Sequence, residues 1–90
     1  MVREKTITKK EQKDSLHSVR ELILFNDEVN TFDFVIETLM EVCGHEPEQA
    51  EQCTLIVHYN GKCAVRSGPF SELKPLHEEM SNRTLTVSIE

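Results

Sequence analysis

The chain has 90 residues and a formal net charge of −6 at pH 7, with 38% hydrophobic and 29% charged residues. This length fits one domain, near the lower limit for a chain that buries its own core. No run of about 18 apolar residues and no apolar signal segment is visible, so we expect neither a transmembrane helix nor a secretory signal peptide. The three cysteines form no C-x-x-C pair and are expected to be reduced thiols of a cytoplasmic protein: Cys43, Cys53 and Cys63.

The charge is distributed unevenly along the chain. Residues 1–20 contain six Lys or Arg and three Asp or Glu, a net charge of +3, whereas residues 21–90 contain four and thirteen, a net charge of −9. An acidic body argues against nucleic acid as a partner and suits cationic ligands. Because residues 1–18 contain little to bury, we predict a flexible N-terminal extension there and a core domain over residues 19–90.

The core domain opens with an apolar run that ends in a polar corner. Residues 19–25 are predicted to form a buried strand, followed by Asn-Asp-Glu at 26–28. A helix with its N-cap at Asn30 or Thr31 comes next and ends at Gly44. The corner offers oxygen acceptors and no glycines, so the ligand group expected there is a cation rather than a phosphate.

A second helix is predicted from Pro47 to the residue before Gly61, because proline is tolerated in a first helical turn and glycine ends helices. Its segment 55–57, Leu-Ile-Val, would by itself also be compatible with a strand. A short strand is predicted to begin at Cys63 and to be broken by Ser-Gly-Pro at 67–69.

The last two elements are a third helix over about residues 70–80 and a strand over residues 84–89. Pro75 is expected to shorten or bend the helix. The strand alternates cleanly, with Leu85, Val87 and Ile89 on one face. The predicted fold is therefore α+β: a small three-stranded antiparallel sheet with three helices packed on one face, in the order βααβαβ.

Few residue combinations suggest chemistry. His45, Cys43 and Cys53 do not match a structural zinc spacing, so buried thiols are the better interpretation, and we expect no metal and no cofactor. Asp27 and His58 could form a general acid/base pair, but no nucleophile or oxyanion hole accompanies them, and we do not expect an enzyme. Taken singly, an exposed helix histidine and an Asn-Asp turn have ordinary structural explanations.

Taken together, two segments resemble one family. The run NDEVNTFDFV at 26–35 is similar to the N-D-D-x-T-P-M-D-F-V signature of ClpS, the adaptor of bacterial Clp proteases in the N-end rule. The run AEQCTLIVHYNGK at 50–62 is similar to that family's A-x-x-x-M-L-x-V-H-x-x-G-K. The resemblance covers about residues 19–90, and the family's fold agrees with the predicted order of elements.

The resemblance implies a binding module that grips a large hydrophobic N-terminal residue, such as Phe, Leu, Tyr or Trp, of a substrate. Carried over by position, the side chains that hold the free α-amino group of an N-degron are those of Asn26, Asp27 and His58. The residues implied to line the hydrophobic pocket are Phe32, Val35, Thr54, Val57 and Leu85. Those implied to support the loop are Glu28, Asn30 and Thr31.

The chain departs from the family pattern at five positions. Glu28 replaces the second Asp, Asn30 the usual Thr, and Thr31 the usual Pro. Phe32 and Thr54 both stand where Met is usual, so Phe32 should narrow the pocket and Thr54 should widen it. Acceptance of a β-branched first residue, Ile or Val, is therefore a hypothesis.

The resemblance also implies partners. These are a Clp AAA+ unfoldase, ClpA-like or ClpC-like, with the ClpP protease, and the N-degron peptides and proteins delivered to it. The basic extension would engage the unfoldase and Lys74 would contribute to docking, in a monomer that binds neither nucleic acid nor membrane. An alternative with a related architecture is the C-terminal domain of the ribosomal stalk protein, which recruits translation factors but lacks the Asn-Asp and His pairing.

Overall fold

The computed structural model describes residues 18–90, which form an antiparallel sheet of three strands and three helices in the order βααβαβ. In the sheet, the first strand of the chain lies between the second and the third. This arrangement confirms the predicted fold class. The predicted extension at 1–18 lies outside the described residues except for its last residue. The elements are β1 (Arg20–Phe25), α1 (Phe32–Cys43), α2 (Pro47–Asn60), β2 (Lys62–Gly68), α3 (Phe70–Asn82) and β3 (Thr86–Ile89).

The core lies between one face of the sheet and the helices. Leu22 and Leu24 of β1 are almost completely buried, and they pair with Ile89 and Val87 of β3, so the alternating residues of both strands share this face. The sequence prediction for the face of the last strand is thus confirmed. The helices and the chain before β3 complete the core with Leu39, Ala50, Val57, Leu73, Met80 and Leu85.

The first two helices begin and end as their sequences predict. The Thr31 hydroxyl caps α1 by accepting a hydrogen bond from the Phe34 N–H at 3.1 Å, and Gly44 ends the helix in the left-handed conformation. Pro47 opens α2, and Gly61, at φ 95°, ends it. The ambiguous segment 55–57 is therefore helical.

The second strand is longer than predicted. It continues through residues 67 and 68, because Gly68 pairs with Arg20 of β1, and only Pro69 ends it. The pairing register shifts between Leu22 and Ile23, so that Val65 has no partner on β1. This bulge leaves the Val65 carbonyl free to accept a 2.6 Å hydrogen bond from Nε2 of the buried His45.

Pro75 does not shorten the third helix, so this part of the prediction was wrong, while the alternative effect, a bend, stays a prediction. α3 contains Pro75 and runs on to Asn82. The carbonyl that proline leaves without a backbone donor belongs to the exposed Ser71, which solvent can reach. β3 begins two residues later than predicted, because Thr84 has a φ of 67° and the Leu85 N–H bonds to the Met80 carbonyl instead of to a strand.

Within residues 18–90, no helix has the length and hydropathy needed to cross a membrane.

Candidate functional site

A cavity of about 610 Å³ opens between the β1–α1 loop (residues 26–31), the first turn of α1, and α2. A volume in this range suits a side chain or a small ligand. The structure brings together here every residue predicted for amine binding, for the hydrophobic pocket and for loop support. Two residues that the sequence analysis missed, both from the end of β1, also line it. The lining consists of Leu24, Phe25, Asn26, Asp27, Glu28, Asn30, Thr31, Phe32, Val35, Thr54, Val57, His58 and Leu85.

Asp27 organises the β1–α1 loop. Its Oδ1 accepts hydrogen bonds from the backbone N–H groups of Val29 and Asn30, at 2.9 and 3.0 Å, as in an Asx turn. The Asn30 side chain adds bonds to Oδ1 at 3.2 Å and to Oδ2 at 3.0 Å. Burial acts to raise the pKa of this carboxyl, but the donors from Asn30 and Val29 outweigh it, so the pKa is lowered from 3.8. The loop therefore carries a stable negative charge.

Asn26 connects the loop to the end of α2. Its backbone N–H donates to the Gly61 carbonyl at 2.9 Å, while the Gly61 N–H donates to the Val57 carbonyl at 2.9 Å. This chain of bonds requires the left-handed glycine at 61, because a residue with a side chain would be strained at φ 95°. It places the polar corner beside the last turn of α2, where His58 lies.

His58 is exposed at the mouth of the cavity. Its imidazole makes edge-on contacts with the rings of Phe32, at a centroid distance of 5.2 Å, and Tyr59, at 5.0 Å. Within residues 18–90 these ring contacts are its only recorded interactions, so both ring nitrogens remain open to a ligand.

The inner part of the cavity is apolar. Val57 and Leu85 are each 5% exposed and Thr54 is 3% exposed. The Thr54 hydroxyl donates to the Ala50 carbonyl at 2.8 Å, so it is already satisfied within the helix. Thr54 therefore acts as a small, nearly apolar wall, while the partly exposed Phe32 stands at the entrance.

The electrostatic character of the cavity is negative. Asp27 and Glu28 line it, and its lining, as far as the described residues go, includes no Lys or Arg. The carboxyl end of α2, which carries the negative end of the helix dipole, lies beside it. An apolar interior with acceptors and negative charge at the entrance is suited to a ligand that joins a hydrophobic group to a cation.

Other residues singled out in the sequence lie apart from this cavity. Lys74 is exposed on α3, in a shallow apolar depression with Phe70 and Ile89. The His45 Nε2 bonds to the Val65 carbonyl, and Cys43 Sγ contacts Met80 Sδ at 3.7 Å. Residues 18–90 contain no group of three His, Cys, Asp or Glu side chains placed to hold a metal.

No hydrogen bond joins Asp27 to His58 in residues 18–90, so the structure does not support their interpretation as an acid/base pair. Both residues line the cavity, but the donors to the Asp27 carboxylate come from Val29 and Asn30 of its own loop. Asp27 therefore orients the loop, and no contact in the described part of the chain makes it orient the imidazole.

Most of the chain matches a known protein family. The family model described as ATP-dependent Clp protease adaptor protein ClpS matches residues 7–88. The match spans most of the chain, and the chain therefore belongs to the ClpS family. The resemblance inferred from the two sequence segments is thus confirmed, and the family assignment favours it over the ribosomal-stalk alternative.

Individual relatives agree with the assignment. An ATP-dependent Clp protease adapter protein ClpS from Campylobacter jejuni is 44% identical over 57 residues, which are 63% of this chain and 59% of that protein. One from Sodalis glossinidius is 32% identical over 78 residues, 82% of this chain and 74% of that protein. The chain thus spans about three fifths of the length of the Campylobacter relative.

A solved structure supports the fold. Agrobacterium tumefaciens ClpS2, bound to L-phenylalaninamide, superposes with a TM-score of 0.68 over 80% of this chain and 94% of that one. Only 17% of the aligned residues are identical. The architecture is therefore shared although most side chains differ.

Proposed function

We propose that this protein is an adaptor that binds the N-terminal residue of N-degron substrates and delivers them to a Clp AAA+ unfoldase. The observation that carries the proposal is the convergence of Asn26, Asp27 and His58 at the mouth of a cavity whose inner wall is apolar. Membership of the ClpS family supports it. The ligand of the Agrobacterium protein, L-phenylalaninamide, has an apolar side chain and an α-amine, the two groups that this cavity would receive.

The amine is the group that makes a chain terminus recognisable. A protonated α-amine has three N–H donors, and the mouth offers the Asn26 side-chain carbonyl, the Asp27 carboxylate and a neutral His58 nitrogen as acceptors. An acetylated terminus lacks the charge and two of the donors, so these acceptors would be left without partners. The first side chain would enter the apolar part, where burial of a Phe or Leu contributes roughly 1.5–3 kcal/mol.

The direct test compares two labelled peptides by fluorescence anisotropy. One begins with Phe and has a free amine, and the other is its N-acetylated twin. We expect micromolar or tighter binding of the free amine and at least about a hundredfold weaker binding of the acetylated peptide, because unpaired charged groups lose about 3 kcal/mol. Equal binding of the two peptides, or binding of neither, would rule out the terminus-reading function.

Two variants test whether the carboxylate of Asp27 or that of Glu28 is the main acceptor of the ligand's amine. Oδ1 of Asp27 is occupied by three donors and Oδ2 by one, whereas Glu28 is exposed and lines the same cavity. Asp27→Asn should weaken binding of the Phe peptide by at least about tenfold, because it removes the charge and the Oδ2 acceptor of the Asn30 side chain. Glu28→Gln removes charge alone, and a loss as large as that of Asp27→Asn would make Glu28 the main acceptor.

The delivery step involves the partners. We propose a ClpA-like or ClpC-like unfoldase with ClpP, engaged by the basic segment at 1–18 and by the exposed Lys74 on α3. Deletion of residues 1–18 should leave peptide binding intact and abolish degradation of a Phe-initiated reporter by the reconstituted protease. Unchanged degradation would exclude a role for the segment.

Docking through Lys74 is testable with a matched lysine. Lys74 and Lys62 are both exposed, but only Lys74 lies beside the apolar depression on α3. Lys74→Ala should weaken association with the unfoldase by a few fold, as expected for one exposed charge at an interface. Lys62→Ala should have no effect, and an equal effect of both would indicate general electrostatic attraction. The adaptor is proposed to act as a monomer in the cytoplasm, without catalysing a reaction.

A further inference from the structure

The side chain of Asn30 connects two parts of the chain that are 54 residues apart. Its amide group donates to the Asp27 carboxylate, at 3.2 and 3.0 Å, and to the backbone carbonyl of Thr84, at 3.0 Å. The Thr84 hydroxyl donates to the Arg83 carbonyl, and its oxygen lies 3.4 Å from Asn30 Oδ1. The β1–α1 loop is thereby joined to the turn between α3 and β3.

The turn that receives Asn30 is itself held in an uncommon conformation. Thr84 has a φ of 67°, which a β-branched residue seldom adopts because its side chain crowds the backbone. Such a conformation persists where neighbouring contacts hold it. The adjacent Arg83 supplies such contacts, since its guanidinium pairs with Glu41 of α1 at 2.8 Å and with Glu79 of α3 at 3.0 Å.

We propose that Asn30 and Thr84 form a brace that fixes the Asp27 carboxylate, and with it the β1–α1 loop, in the conformation that receives the ligand's amine. Asn30 is then a positioning residue, because it acts through Asp27 and needs no contact with the ligand. The ligand in this proposal rests on the proposed function, whereas the brace itself can be tested without any ligand.

An asparagine side chain can bond to Asp27 and to Thr84 at the same time. A side-chain amide has two N–H hydrogens and a carbonyl oxygen, so it can donate in two directions and accept at the same time. Threonine, usual at this position in the motif that the chain resembles, has a single O–H donor. It could bond to the Asp27 carboxylate or to the Thr84 carbonyl, but not to both at once. A brace across to the α3–β3 turn therefore needs the residue that this chain has.

The other charged groups near Asp27 do not replace the brace. Glu28 of the same loop and His58 of α2 line the cavity with it. Arg83, the cation next to Thr84 in sequence, is engaged by Glu41 and Glu79. Within residues 18–90, the N–H groups of Val29 and Asn30 are thus the recorded donors to this carboxylate.

The experiment follows Asp27 directly, by carbon-detected NMR titration of its side-chain carboxyl in the free protein. In the wild type the pKa lies below 3.8. Asn30→Ala should raise the pKa of Asp27 towards its ordinary value, because side-chain donors to the carboxylate are lost. Asn30→Thr should give an intermediate pKa. Gln52→Ala, an exposed change on α2, is the matched control and should leave the titration unchanged.

Peptide binding and melting temperature are then measured for the same variants. Asn30→Ala should weaken binding of the Phe peptide by roughly tenfold, and the affinity of Asn30→Thr should lie between those of Asn30→Ala and the wild type. Thr84→Gly keeps the backbone conformation and the carbonyl but removes the hydroxyl, and it should cost about twofold to threefold. Melting temperatures near that of the wild type would separate this loss from unfolding.

The outcomes separate the brace from the function. An unchanged Asp27 titration in Asn30→Ala, together with wild-type peptide binding, would overturn the brace. A raised pKa with weakened binding supports it fully. If the wild type fails to distinguish free from acetylated peptides, the proposed function fails, while a raised Asp27 pKa in Asn30→Ala still supports the brace as a structural element.

Discussion

His45 and His58 lie near opposite ends of α2 and have opposite environments. His45 is 6% exposed, and its Nε2 bonds to the Val65 carbonyl that the bulge in β2 leaves free. His58 is exposed at the cavity mouth, and among residues 18–90 it contacts the rings of Phe32 and Tyr59 and makes no hydrogen bond. One histidine satisfies a backbone group of the fold, and the other keeps its nitrogens open for a ligand. The comparison separates the residues that build this domain from those available for recognition.

The largest effect on folding is expected at His45. His45→Ala removes the partner of a buried carbonyl and leaves a cavity, which should lower the free energy of unfolding by about 3 kcal/mol. His45→Gln, which retains a donor, should lose less. Urea unfolding measures both changes. Peptide affinity per folded molecule should stay at the wild-type value, and a loss of affinity in the folded fraction would break the comparison.

At His58 we expect the opposite: a large loss of peptide affinity and little change in stability. His58→Ala should weaken the Phe peptide by about 10- to 100-fold, because an acceptor for a charged donor is removed. The free energy of unfolding should change by less than about 0.5 kcal/mol, as for most exposed substitutions. Gln52→Ala is the control on the same helix, since Gln52 is exposed and does not line the cavity. Equal losses in the two variants would contradict a specific role for His58.

The two histidines also mark what the sequence could predict. The caps at Thr31 and Gly44 and the apolar spacing of the helices are local signals, and they gave the element order correctly. Residues 26–28 and His58 were assigned to one site through a family resemblance. No local sequence signal predicts that this loop contacts the end of a helix about 30 residues later in the chain. The structural reason is the bond from the Asn26 N–H to the Gly61 carbonyl.

The features that sequence reasoning missed depend on tertiary contacts. The bulge at Val65 and the bond from His45 join segments 20 residues apart, and the brace from Asn30 to Thr84 joins segments 54 apart. Neither leaves a periodic pattern. The length of the helix that contains Pro75 was misjudged for a related reason. A helix continues past a proline where the carbonyl left without a donor reaches solvent, and the exposure of Ser71 depends on the tertiary fold.

A third prediction concerns the wall of the cavity. Thr54→Met should weaken binding of the Phe peptide by about tenfold, because the longer side chain overfills a cavity whose wall is now formed by a small residue. Thr54→Val, of nearly the same shape, should change affinity by less than about threefold, since the Thr54 hydroxyl already bonds to the Ala50 carbonyl. Anisotropy measures both variants, and a Val variant as weak as the Met variant would show that the hydroxyl matters.

The width of the wild-type cavity is tested with a second peptide. If the small Thr54 offsets the bulk of Phe32, a peptide beginning with Ile should bind within about threefold of the Phe peptide. The free energy difference would then be below about 0.7 kcal/mol. Undetectable binding of the Ile peptide would exclude β-branched residues and assign the limit to Phe32.

The last comparison is between Cys43, in the interior, and Asp27, at the site. Burial raises the pKa of the Cys43 thiol from 9.0 to about 11, although Arg66 acts in the opposite direction. The hydrogen-bond donors of the β1–α1 loop lower the pKa of Asp27.

Because the pKa of Cys43 is raised in the folded protein, the neutral thiol stabilises the fold fully below pH 9, and this contribution is lost as the pH rises through 11. The difference in free energy of unfolding between the wild type and Cys43→Ala should therefore shrink by about 2 kcal/mol from pH 8 to pH 11. The same difference for Leu39→Ala, which removes no titrating group, should stay constant. A constant difference for Cys43→Ala as well would mean that the interior tolerates a thiolate, and the separation between neutral core groups and charged site groups would then fail at this residue.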